Sequence, residues 1–138
     1  MKRILILASH HNMAAGLRDS LNFVFGGEQE TVALAAYVDN KPVDAAVKEL
    51  MAGLSDEDEA VILTDMTAGS VNQQFFPYIN RPHTHLVSGM NLPLAFTIAM
   101  EPQDEYITAD RMREIVEESR AEMKYCNDLA AEGDDEDE

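Results

Sequence analysis

Four short, mostly uncharged apolar runs recur along the chain: Ile4–Ala8, Thr31–Tyr37, Ala60–Thr64 and His85–Met90. This is the pattern of strands buried on both faces of a parallel sheet. Between them apolar residues return at helical spacing. Ala14, Leu17, Leu21, Val24 and Phe25 trace one stripe, and Val43, Ala46, Val47, Leu50, Met51 and Leu54 a cleaner one. Phe75, Phe76 and Ile79 give a shorter third, and a fourth helix follows Pro93 through Leu94–Met100. A fifth begins near Thr108, a capping residue, with Ile107 and Met112 placed as a hydrophobic staple; Met112, Ile115, Val116 and Met123 form its buried stripe. Strand alternating with helix predicts an α/β fold: a three-layer sandwich around a mainly parallel sheet of four strands. The segment Tyr125–Leu129 fits either a frayed helix end or a short strand.

Length and composition fit that picture. The chain has 138 residues, 46% of them hydrophobic, enough for one compact domain and too few for two. We place the domain at residues 1–131. The last seven, Glu132 to Glu138, hold six acids and no base, and read as a solvated acidic tail with nothing to bury. The net charge of −16 excludes a nucleic-acid binder, which needs a basic face, and argues equally against docking on an anionic membrane. Cys126 is the only cysteine, so no intrachain disulfide and no CxxC zinc site can form; we expect a partly buried, inert thiol. The apolar run behind Met1-Lys2-Arg3 is too short for a signal peptide, and no run reaches the roughly 18 residues of a membrane span. A cytoplasmic protein is expected.

In an open α/β sheet, function gathers at the carboxyl ends of the strands. Strand one ends in Ser9-His10-His11-Asn12. Strand three ends in Thr64-Asp65, followed by Met66-Thr67-Ala68-Gly69-Ser70, and strand four in Gly89-Met90-Asn91-Leu92-Pro93. A histidine, an aspartate and a Gly-Ser turn thus converge on one edge. A carboxylate that accepts the imidazole Nδ1–H leaves Nε2 as a nucleophile and stabilises the cationic ring formed on attack. His10 with Asp65 fits that chemistry. Ser70-Val71-Asn72-Gln73 reads as a capping box; the same helix start, behind Ala68-Gly69, could also present free N–H groups to a phosphoryl group. No nucleotide motif occurs. His11 and Asn91 are secondary candidates. His83 and His85 fall at the amino end of strand four, away from this edge, so a histidine metal site is not favoured, and no metal or other cofactor is expected.

Together these residues identify a resemblance. The first piece is Ile4-Leu5-Ile6-Leu7-Ala8-Ser9-His10, with Ala15-Gly16-Leu17 beyond it. The others are Val61-Ile62-Leu63-Thr64-Asp65, then Gly69-Ser70 with Asn72, then Gly89-Met90-Asn91-Leu92-Pro93-Leu94. In order and spacing, over about residues 2–120, they resemble the IIA component of the mannose/fructose/sorbose family of the bacterial sugar phosphotransferase system. The resemblance implies that His10 accepts a phosphoryl group from the histidine phosphocarrier protein and passes it to a IIB component, serving membrane IIC and IID components. It implies that Asp65 orients His10 while Gly69 and Ser70 lie around the phosphate. It also implies a homodimer, in some members with a C-terminal strand exchanged between subunits, for which Tyr125–Leu129 is the candidate. Two positions depart from the family pattern: His11 and Ala68 stand where glycine is usual. The rival readings are a phosphotransfer subunit feeding dihydroxyacetone kinase, a regulatory module controlled by phosphorylation of His10, and a metal-dependent hydrolase.

Overall fold

A computed structural model describes residues 1–130. The expected acidic tail, 132–138, lies outside the described residues. The elements alternate as read from the sequence: β1 (Arg3–His10), α1 (Met13–Phe25), β2 (Glu30–Ala36), α2 (Val43–Ala52), β3 (Glu59–Thr64), α3 (Ser70–Phe75), β4 (Thr84–Ser88), α4 (Leu92–Met100) and α5 (Ala109–Arg120), with a single 3-10 turn at Phe76–Tyr78. The strands form one parallel sheet in the order β2-β1-β3-β4.

The period-two alternation of β1 and β3 sorts their side chains onto two faces. Leu5, Leu7, Val61 and Leu63 pack with Ala14, Leu21, Leu94, Ile98, Met112 and Ile115 of α1, α4 and α5. Ile4, Ile6, Ala8, Ala60 and Ile62 pack with Val47, Met51, Val71 and Phe75 of α2 and α3. The result is the three-layer sandwich. Both-face burial is complete for the central strands β1 and β3, whereas the edge strands β2 and β4 are mostly half-buried. Thr108 caps α5, accepting the Arg111 N–H at 3.1 Å. No helix of the described residues is long and apolar enough to cross a membrane.

At the C-terminal end two expectations change, and one open choice is resolved. Helix α5 stops at Arg120, which leaves Met123 89% exposed instead of on the buried stripe. Residues 126–130 form a helical turn, the first of the two readings of Tyr125–Leu129. Cys126 on that turn is exposed.

Candidate active site

The chain leaves β1 in one direction to form β2 and crosses back to form β3, so the connections diverge between β1 and β3. That switch point opens a crevice at the carboxyl ends of the two strands. His10 is the last residue of β1, and Asp65 follows the last residue of β3. The β1–α1 turn is fixed from beneath by Ser9, fully buried, whose hydroxyl accepts the Ala14 N–H at 2.7 Å and donates to the His11 carbonyl at 3.0 Å. The His11 N–H donates to the Ala36 carbonyl at 2.7 Å, tying the end of β1 to the end of β2.

Asp65 holds His10 twice. One carboxylate oxygen, Oδ2, accepts both the His10 backbone N–H and its ring Nδ1–H, each at 2.8 Å. The other, Oδ1, accepts the Met66 N–H at 3.0 Å. An ionised carboxylate only accepts, so a proton stands on Nδ1, and in the neutral ring Nε2 keeps its lone pair. The His10 side chain is 38% exposed and that of Asp65 only 9%, so the imidazole faces outward and the carboxylate lies underneath. Burial pushes the Asp65 carboxyl up, but the hydrogen bonds and charge of His10 outweigh it and hold the carboxyl below its usual value of 3.8. A depressed carboxylate stabilises the fold above the unfolded pKa and loses that stabilisation as pH falls through the folded one. The stability advantage of the wild type over Asp65→Asn should therefore be full above pH 3.8 and shrink below it, as read by urea titrations at stepped pH. A pH-independent difference would count against this linkage.

On its outward side His10 meets two hydroxyls. Ser70 Oγ is 3.1 Å from Nε2, and the Tyr37 hydroxyl is 2.8 Å from Ser70 Oγ. The Tyr37 ring also stacks on the imidazole, with centroids 5.5 Å apart and planes 27° apart. Sequence reasoning missed Tyr37, the first residue past the carboxyl end of β2. Ser70 does not cap α3. The N-cap is Gly69, with no side-chain cap bond, and Gln73 reaches back to the Ala68 carbonyl instead. The Gly69 backbone lies against the imidazole: a Cβ there would meet His10 Cε1 at 3.4 Å, ordinary contact distance. Buried Asn72 accepts the Thr64 hydroxyl proton at 2.7 Å and pins α3 to the end of β3.

Residues 4–116 match the family of the PTS system fructose IIA component. The chain belongs to this family. It resembles a Klebsiella pneumoniae protein assigned to a phosphoenolpyruvate-dependent sugar phosphotransferase system (PTS) permease, at 34% identity over 94% of this chain and 95% of that one, with a TM-score of 0.84. Two further structures share the fold. One is the PTS IIA protein associated with the fucose utilization operon of Streptococcus pneumoniae, at 21% identity, 94% and 97% coverage and a TM-score of 0.76. The other is the mannose/sorbose-specific IIA subunit of Enterococcus faecalis, at 20% identity, 90% and 94% coverage and a TM-score of 0.69. No curated protein sequence gives a significant match. Membership places the chain in phosphotransfer within a sugar phosphotransferase system, where IIA components work with phosphocarrier and IIB partners.

Against that family pattern, His11 and Ala68 take on a physical meaning. Both lie in the left-handed region, at φ 58° and 59°, where glycine is free of strain. Here the His11 and Ala68 side chains sit at that strained angle. Ala68→Gly should raise stability by about 0.5–1 kcal/mol, the relief at left-handed φ less the added freedom of the unfolded chain. His11→Gly should gain less, because histidine tolerates that region better. Unchanged or lower melting temperatures in both would reject this.

Asn91 is placed differently from His10, Asp65, Gly69 and Ser70. Its side chain caps α4, accepting the Leu94 N–H at 2.9 Å and donating to the Gly89 carbonyl at 3.2 Å. The His11 side chain is exposed. His83 stacks on Tyr106, and His85 Nε2 is 2.8 Å from the Ile107 carbonyl, both at the amino end of β4. Among the described residues no three His, Cys, Asp or Glu are grouped to hold a metal ion. The most prominent hollow, about 1190 Å³, runs beside α5 along the free edge of β4, past Leu86, Ser88, Met112 and Val116. Neither His10, Asp65 nor Ser70 lines it.

Proposed function

We propose that His10 Nε2 relays a phosphoryl group from the histidine phosphocarrier protein to a IIB component for sugar uptake, through a phosphohistidine intermediate. The observation that carries this reading is the double anchor on Asp65, which leaves Nε2 unprotonated and directed outward. In the first transfer the Nε2 lone pair forms a bond to phosphorus while the donor's P–N bond breaks. Its electron pair returns to the donor imidazole. Negative charge spreads over three equatorial oxygens during transfer. Ser70 Oγ and the first turn of α3, whose leading N–H groups lack partners within the helix, lie beside the point of attack. Asp65 faces the ring as it gains positive charge. The second transfer reverses these steps onto the acceptor. Two imidazoles exchanging one phosphoryl group need no nucleotide or metal, and positioning supplies most of the acceleration.

Asp65→Asn keeps the shape but removes the charge, and should slow transfer roughly 10- to 100-fold, the worth of a charge-assisted hydrogen bond. A rate within twofold of wild type would remove Asp65 from the mechanism. The reading as a whole is tested by incubation with enzyme I, the phosphocarrier protein and labelled phosphoenolpyruvate, followed by mass mapping and chase with a IIB component. Label on His10 that the IIB component removes supports it; an unlabelled chain overturns it. We further infer a homodimer. The open edge of β4 supports this, since an unpaired strand edge beside a large hollow invites a second copy.

A further inference from the structure

We propose that Tyr37 is a positioning residue for this relay: its hydroxyl directs the Ser70 O–H onto His10 Nε2 and, after transfer, onto a phosphoryl oxygen. The inference rests on His10 as the phosphoryl acceptor and adds a residue to that site.

The direction of every hydrogen bond in the chain follows from one end. Asp65 accepts from Nδ1–H, so Nε2 of the neutral ring can only accept. Ser70 must therefore donate to Nε2, across 3.1 Å. Its oxygen is then left to accept, and Tyr37 donates to it across 2.8 Å. The order Tyr37 to Ser70 to His10 is thus fixed by Asp65 on the far side of the ring.

The fold also bears a cost to hold Tyr37 there. His10 pairs in register with Ala36, so the next residue of the second strand emerges beside the imidazole. Tyr37 takes φ 67°, a left-handed angle that is a true outlier for a bulky aromatic side chain. Such strain persists where surrounding structure over-determines it, and it gathers at functional sites. Tyr37 is 51% exposed, so burial does not explain the placement; the stack on His10 and the bond to Ser70 do.

The bonding changes when phosphate arrives. Nε2 commits its lone pair to phosphorus and can no longer accept from Ser70. The serine O–H must swing to a phosphoryl oxygen by rotating about its Cβ–Oγ bond. Tyr37 keeps one Ser70 lone pair occupied throughout, which limits that rotation to the arc shared by Nε2 and the incoming group. Without the tyrosine hydroxyl, Ser70 is free to turn toward water.

Tyr37→Phe keeps the ring and removes only the hydroxyl. In the unphosphorylated protein the His10 Nε2 nitrogen-15 resonance should move toward that of an unbonded lone pair, in the same direction as in Ser70→Ala. The Nδ1 resonance should stay in place. Single-turnover transfer from the phosphocarrier protein should slow roughly three- to tenfold, the worth of one hydrogen bond. The double variant should be no slower than Ser70→Ala alone, because Tyr37 acts through Ser70. An unmoved Nε2 resonance, or losses that multiply in the double variant, would overturn the proposal. If wild-type His10 takes no phosphate, the relay reading fails separately, and the resonance still decides whether Tyr37 controls the hydroxyl on His10.

Discussion

Alanine in place of His10 should abolish phosphoryl incorporation, whereas alanine in place of His11 should leave most of it. Four histidines could in principle take phosphate, and their surroundings separate them. Only His10 combines a carboxylate on Nδ1 with an Nε2 at the surface. His85 has its Nε2 against the Ile107 carbonyl, and His83 is stacked under Tyr106; both stand at the opposite end of the sheet. His11 is adjacent in sequence, but no carboxylate partners its ring among the described residues. Its backbone, not its imidazole, is what joins the ends of β1 and β2. The His10 side chain is partly exposed and fills no core position, so the fold should survive its loss. The checks are mass mapping of the labelled peptide, acid lability with alkali stability of the linkage, and a cooperative thermal transition lowered by no more than the loss of the ring's bond to Asp65. Label on His11, His83 or His85 in the wild type would move the site.

His10 and Asp65 were legible because parallel strands bring their carboxyl ends to one edge, and a strand end is visible where an uncharged run meets a polar residue. Tyr37 escaped the same rule. The run Thr31–Tyr37 is uncharged throughout, so nothing in its composition marks that β2 ends at Ala36 and the chain turns at positive φ. Ser70 was legible as a residue of interest but not in its role. Ser-x-x-Gln matches a local capping pattern, and tertiary partners contributed by β1 and the end of β2 overrode it. Met123 continues the helical spacing of α5, yet spacing carries no information about where the helix stops; the chain leaves it after Arg120. Arg3 and Glu59 were passed over for the opposite reason. Charged residues flanking apolar runs read as exposed strand boundaries, but these two, the first residues of β1 and β3, are 2% and 0% exposed.

That buried pair carries the largest expected effect on stability. Alanine at Glu59 should cost about 3–5 kcal/mol, the usual consequence of leaving a buried charge without its partner. The Arg3 guanidinium donates through Nε to Glu59, and to the carbonyls of Glu101, Pro102 and Glu105 at 3.0, 2.9 and 2.8 Å. The other carboxylate oxygen of Glu59 accepts the Ile107 N–H at 2.6 Å. The pair therefore clamps the connection between α4 and α5 to the amino ends of β1 and β3. Without the carboxylate, a buried cation and a buried N–H lose their acceptor together. Against a typical total of about 5–15 kcal/mol, the loss should shift the urea midpoint far down at constant m-value. Replacing both partners, as Arg3→Met with Glu59→Leu, should cost less than Glu59→Ala despite the larger change in sequence, because no charge is left stranded. Some cost should remain, since three carbonyls lose their donor. His10 stands seven residues along β1 from Arg3, about 23 Å at strand rise, so the folded fraction of each variant should still take phosphate at the wild-type rate. A double variant less stable than Glu59→Ala would show that the carbonyl bonds of Arg3, and not its ion pair, hold the α4–α5 connection in place.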